Sequence, residues 1–102
     1  MYWNITDKER LYQAFELANN RKLLENFLSD ILTEKEMEQC IKRLKAACLI
    51  HDCASYTQIH LMTKLSPSTI ARLSKRFNKQ DCGFSQIIKK FLSKGNGRAY
   101  FE

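Results

Sequence analysis

SYTQIHLMTKLSPSTIARLSKRF, residues 55–77, holds two helix start signals in quick succession. Ser55-Tyr56-Thr57-Gln58 is a capping box, in which serine accepts from a backbone N–H and glutamine reaches back to the serine N–H. It opens a short helix to about Met62. Ser66-Pro67 is the second start: serine suits the N-cap, and proline suits the first helical position, where its missing N–H is no loss. That helix runs to about Phe77. Two short capped helices joined by a tight turn make a helix-turn-helix when their inward positions are apolar, and Ile59, Leu65, Ile70 and Leu73 stand there. Ile70, Leu73 and Phe77 recur at three- and four-residue steps and face inward.

The other face of the second helix carries Ser68, Thr69, Arg72, Lys75 and Arg76, with Lys79 just beyond. Hydroxyls suit base edges and phosphates, and arginine and lysine suit guanine edges and phosphate oxygens. Ser55, Tyr56, Thr57 and Ser66, at the starts of the two helices, complete the expected DNA-contacting set. A helix N-terminus in the major groove adds its positive dipole end. Two positions depart from the pattern. His60 stands where the helices cross and a small residue is usual; its ring is expected to swing to the surface. Lys64 stands where the turn favours glycine, in a left-handed conformation that other residues adopt at modest cost. The plain alternative is an αα-hairpin with a solvated basic face.

Working outward, the periodicity is helical almost throughout, giving an all-α chain of about six helices. A first helix over about 6–19 is opened by Thr6 or Asp7 and striped by Leu11, Phe15, Leu17 and Ala18. Asn19-Asn20 breaks it, and a second helix over about 21–31 carries Leu23, Leu24, Phe27, Leu28 and Ile31. Thr33-Glu34-Lys35-Glu36 is another capping box. The third helix then runs to about 51, with Met37, Cys40, Ile41, Leu44, Ala47, Cys48 and Ile50 as a wide apolar face. After a loop over 78–83, a last helix over about 84–93 carries Phe84, Ile87, Ile88, Phe91 and Leu92. One helical domain over 1–94 and a frayed tail over 95–102 are expected.

The chain has 102 residues and a net charge of +6. Residues 1–63 hold eight Lys/Arg against nine Asp/Glu, whereas residues 64–98 hold nine Lys/Arg against one acid, Asp81. That asymmetry is an electrostatic footprint for a polyanion, here double-stranded DNA. A helical protein this small gains core by dimerising, so a homodimer is expected, with Tyr2, Trp3, Tyr12 and Phe15 in its core. Asp7, Glu9 and Arg10 interrupt any apolar leader, and no apolar run reaches membrane-spanning length. A cytoplasmic protein without a membrane partner follows, its four cysteines reduced. Cys40, Cys48, His51 and Cys53 match no tetrahedral metal spacing, and the three cysteines among them read as buried and inert, so no metal is expected. No Gly-rich phosphate loop, nucleophile elbow or carboxylate pair is present, so no catalytic residue and no enzyme is expected.

From Leu28 to Phe84 the sequence resembles the Trp-repressor-like family. LSDILTEKEMEQCIKRLKAACLI, residues 28–50, is similar to the family's leucine-rich segment, threonine cap and long central helix. SYTQIHLMTKLSPSTIARLSKRFN is similar to its helix-turn-helix, which reads S-Y-x-x-I-A-x-x-T-G-V-S-x-x-T-I-x-R. NKQDCGF, residues 78–84, resembles the N-x-G-x-x-G-Y turn of a branch of the family distinct from the tryptophan repressor proper. The resemblance implies an intertwined homodimer and a sequence-specific transcriptional regulator, a repressor, that uses its helix-turn-helix.

In the repressor proper an arginine on each of two helices and a threonine cap hold tryptophan. The resemblance places these at Arg43, Arg72 and Thr33. The glycine that leaves room for the indole is Leu73 here, and the serine beside the ligand's amino group is Arg76. A leucine in the indole slot and a cation facing an ammonium both oppose tryptophan. No cofactor is therefore expected, although a tryptophan-dependent repressor stays an alternative. Arg43 and Arg72 could equally bind phosphate or pair with Glu36 or Glu38. A further alternative is a protein-interaction module that offers its basic face to an acidic protein.

Overall fold

The computed structural model describes residues 6–93, and these form six α-helices without a strand. The tail over 95–102, together with Tyr2 and Trp3, lies outside the described residues. The chain divides into two compact units, one ending at Met37 and one beginning at Glu38.

The first unit holds α1 (Asp7–Leu17) and α2 (Arg21–Ile31). Thr6 caps α1 by accepting from the Glu9 N–H at 3.1 Å. Asn20 caps α2 by accepting from the Leu23 N–H at 2.9 Å. So Asn20 is both the break after one helix and the start of the next, and α1 stops two residues before the expected 19. Phe15 and Phe27 meet edge to face with ring centres 5.3 Å apart, a favoured aromatic geometry. Neither helix contains a buried residue.

α3 (Glu34–His51) opens at the expected capping box. The Glu36 N–H donates to the Thr33 hydroxyl at 3.1 Å, and the Thr33 N–H donates to the Glu36 carboxylate at 2.9 Å. The Thr33 N–H, then the Thr33 hydroxyl, hold the Glu36 carboxyl below the ordinary carboxylate range. α3 ends in a Schellman arrangement: the Cys53 N–H donates to the Ile50 carbonyl and the Ala54 N–H to the Leu49 carbonyl, with Cys53 left-handed at φ 63°. Ala46, Ala47 and Cys48 are buried, but Cys40 and Ile41 are exposed. Full burial on α3 is thus confined to its C-terminal half, with Met37 and Leu44 half-buried before it. Of the three cysteines expected to be buried, Cys48 is, but Cys40 and Cys53 are exposed because no other described part of the chain covers them; Cys82 is buried as well.

α4 (Tyr56–Thr63), α5 (Pro67–Arg76) and α6 (Gly83–Ser93) complete the second unit. α6 starts at Gly83, one residue inside the expected loop, and Gly83 is exposed with open space around its Cα. The core forms two clusters. Ala46 of α3 joins Ile59, Leu65, Ile70 and Leu73, flanked by Leu49, Ile50, Ala54 and Phe84. Ala47 and Cys48 join Ile88, flanked by Leu44, Phe77, Phe84 and Phe91. Adjacent small residues on α3 thus serve two cores, and the close approach that alanine permits lets α4–α5 pack on one side and α6 on the other. Ala46 is absent from the apolar face expected for α3, because a short side chain adds little to a hydrophobic pattern yet decides how closely helices pack.

Candidate nucleic-acid interface

α4 begins with the expected reciprocal box. The Gln58 N–H donates to the Ser55 hydroxyl at 3.2 Å and the Ser55 N–H to the Gln58 side-chain oxygen at 3.0 Å. Ile59 is fully buried, while Tyr56 and Thr57 are exposed.

The turn is held by side chains of α4. The Thr63 hydroxyl donates to the Ile59 carbonyl at 2.7 Å and accepts from the Leu65 N–H at 3.2 Å. His60 Nδ1–H donates to the Leu65 carbonyl at 2.7 Å; a carbonyl only accepts, so the proton resides on Nδ1. Lys64 adopts φ 63° and ψ 13°, and its N–H donates to the His60 carbonyl at 2.9 Å. Both backbone groups of buried Leu65 are therefore satisfied locally. The His60 ring is exposed as expected, but it folds back over the turn and does not point away from it. Neither Thr63 nor His60 stands out in sequence as a turn element. The available signal was polar side chains beside a turn with no glycine.

Ser66 caps α5. Its hydroxyl accepts from the Thr69 N–H at 3.2 Å and donates to the Thr69 hydroxyl at 2.9 Å. The Ser68 hydroxyl lies 3.1 Å from that of Ser66. With the Ser66 proton directed to Thr69, Ser68 is the donor of this pair. Three hydroxyls thus gather at the positive end of α5. Ile70 and Leu73 point into the core, while Ser68, Arg72, Lys75 and Arg76 are exposed and Thr69 half-buried. The helical repeat carries this stripe on one side of α5, and exposed Lys79 follows it.

Arg76 differs from its neighbours. Its guanidinium donates to the Asp81 carboxylate at 3.2 Å and to the Asp81 backbone carbonyl at 3.4 Å. Both side chains are open to water, so the pair contributes little, roughly 0–1 kcal/mol. It does turn Arg76 toward the 77–82 loop. Asp81, the lone acid of the basic stretch, was the sequence signal for that pairing.

Thr33 is engaged in the α3 cap. Arg43 and Arg72 are exposed on α3 and α5. Leu73 is 6% exposed and sits in the cluster with Ala46, Ile59, Leu65 and Ile70. The described residues include no group of three His, Cys, Asp or Glu side chains placed to hold a metal, and no helix among them is long and apolar enough to cross a membrane.

A sequence model of the family described as Trp repressor protein matches residues 7–92, which takes in all of α1–α5 and nearly all of α6. Neither the curated proteins nor the solved structures give a match.

Proposed function

Because the chain belongs to the Trp repressor protein family, we propose that it is a sequence-specific, DNA-binding transcriptional repressor of the cytoplasm, and that α5 is its reading helix. The observation that carries this reading is the two-sided character of α5. One side is anchored by Ile70 and Leu73, and the other presents Ser68, Arg72 and Lys75 to solvent from a helix whose N-terminus is capped by Ser66. A rigid helix with base-reading side chains on its free face is what major-groove readout requires. In this reading Arg72, Ser68 and Thr69 read bases. Ser55, Tyr56, Thr57, Ser66, Lys75 and Lys79 contact phosphates, and Arg76 joins them once Asp81 releases it.

The reader acts as a homodimer. Leu11, Tyr12, Phe15, Leu23, Ile31 and Ile41 are exposed. Open apolar clefts of about 320 Å³ lie beside Leu11, Ala14, Phe27 and Ile31 and of about 480 Å³ beside Leu44, Phe84 and Ile87. Apolar concavities in each unit suit a second copy of the chain.

Binding is independent of tryptophan. Leu73 is already packed in the core, so an indole there would have to displace a buried leucine and gains little. Selection of bound duplexes from a random pool, with and without tryptophan, tests all of this. One enriched sequence is expected in both arms, its preference weakened by about 1–3 kcal/mol in Arg72→Ala. Enrichment only with tryptophan restores a corepressor. No enrichment, with retained binding to an acidic protein surface, makes the chain an interaction module.

A further inference from the structure

Among the described residues, Cys53 and Lys64 are the non-glycine residues with positive φ, each at 63°. Glycine would make either turn without a steric cost. The turn after α4 uses only the backbone of Lys64, whose N–H donates to the His60 carbonyl. Thr63 and His60 hold the next residue. Thr63 and Leu65 on either side are buried, while Lys64 is exposed. A strained backbone kept for a side chain that the fold does not use points to a role outside the fold.

Position says what that role is. In a helix-turn-helix the first helix crosses the phosphate backbone and the second enters the groove by its N-terminus. The intervening turn therefore passes the edge of the groove, where phosphates line the path. We infer that Lys64 is a phosphate clamp. Its ammonium, on a stem whose root the hydrogen-bonded turn fixes, grips the DNA backbone and sets how deeply the Ser66–Thr69 end of α5 sits. The contact is indifferent to sequence, since phosphates carry none. This inference rests on the DNA reading above.

The test measures affinity for the selected duplex and for an unrelated one across a salt series, beside thermal melting of each protein. Lys64→Gly should melt higher than the parent, because strain is relieved. It should nonetheless bind both duplexes roughly fivefold more weakly per bound protomer at 0.15 M salt, with the slope of log affinity against log salt shallower by about one. Lys64→Arg should stay within about twofold of the parent, as should Lys22→Ala, which removes the same charge from α2. Lys64→Gly binding with the parent's affinity and slope overturns the clamp. A parent that binds no duplex overturns the DNA reading itself, and the parent's own titration shows this before any variant is compared.

Discussion

The α1–α2 pair and the α4–α5 pair are both short helices joined by brief connections, yet they solve burial in opposite ways. α1 and α2 contain no buried residue and leave Leu11, Tyr12, Phe15 and Leu23 in the open. α4 and α5 bury Ile59, Ile70 and Leu73 in a cluster with Ala46 of α3 in their own chain, and Thr63 is buried beside the turn. The first pair is thus amphipathic without a covered face, and the second is self-sufficient. Helices of 11 residues are marginal on their own; in the proposed homodimer the N-terminal pair gains its cover from a second copy, whereas α4 and α5 already share a core within their own chain.

Leu11→Asp should break that comparison most forcefully. Within one chain the position is 41% exposed, and a carboxylate there costs little. In a dimer interface it would bury an unpaired charge, at roughly 3–5 kcal/mol, so dimer dissociation should rise by two or more orders of magnitude. Sedimentation at low micromolar concentration should give about twice the 12.0 kDa chain mass for the parent and the single mass for the variant. A parent that sediments as a folded monomer would remove the dependence on a second copy.

Ile70→Ala probes the other side. Ile70 is fully buried between α5 and α3, and its truncation should cost about 2–5 kcal/mol in denaturant unfolding. A cost under about 0.5 kcal/mol would place the residue at a surface. Thr63→Val keeps the shape of a buried side chain while removing the hydroxyl that serves Ile59 and Leu65. It leaves the Leu65 N–H without that partner, a loss of about 1–3 kcal/mol, and local hydrogen exchange at residues 64–66 should quicken. Exchange rates equal to the parent's would show that the turn does not rely on Thr63.

The capping box at the head of α3 gives the smallest effect. The Thr33 N–H holds the Glu36 carboxyl below its ordinary value. A group with a lowered folded value adds stability above the unfolded value and loses it as pH falls through the folded one. Helicity should therefore decline slightly below the ordinary glutamate range, and Glu36→Gln should flatten that part of the acid limb. An acid limb identical in the two proteins would show that the ionised form of Glu36 is not what the cap uses.

Much of this was legible in sequence because caps and periodicity are local. Thr33–Glu36, Ser55–Gln58 and Ser66-Pro67 place three helix starts to the residue, and Ile59, Leu65, Ile70 and Leu73 are the buried apolar positions of the helix-turn-helix, while buried Thr63 went unread. What stayed hidden depends on through-space neighbours. The packing role of Ala46 requires knowing which helices cross there, and the exposure of Cys40 and Ile41 requires knowing what fails to cover them. The His60 bond to Leu65 and the Arg76 bond to Asp81 each span five residues across a turn, so they follow from turn geometry and not from helical spacing.

The central claim is that the free face of α5 carries the reading of duplex DNA, and a salt series on a generic duplex tests it most directly. Log affinity should fall linearly with log salt, and Lys75→Ala should weaken all duplexes alike while reducing that slope by about one per protomer bound. Duplex binding that does not vary with salt, or a slope that Lys75→Ala leaves unchanged, would contradict it.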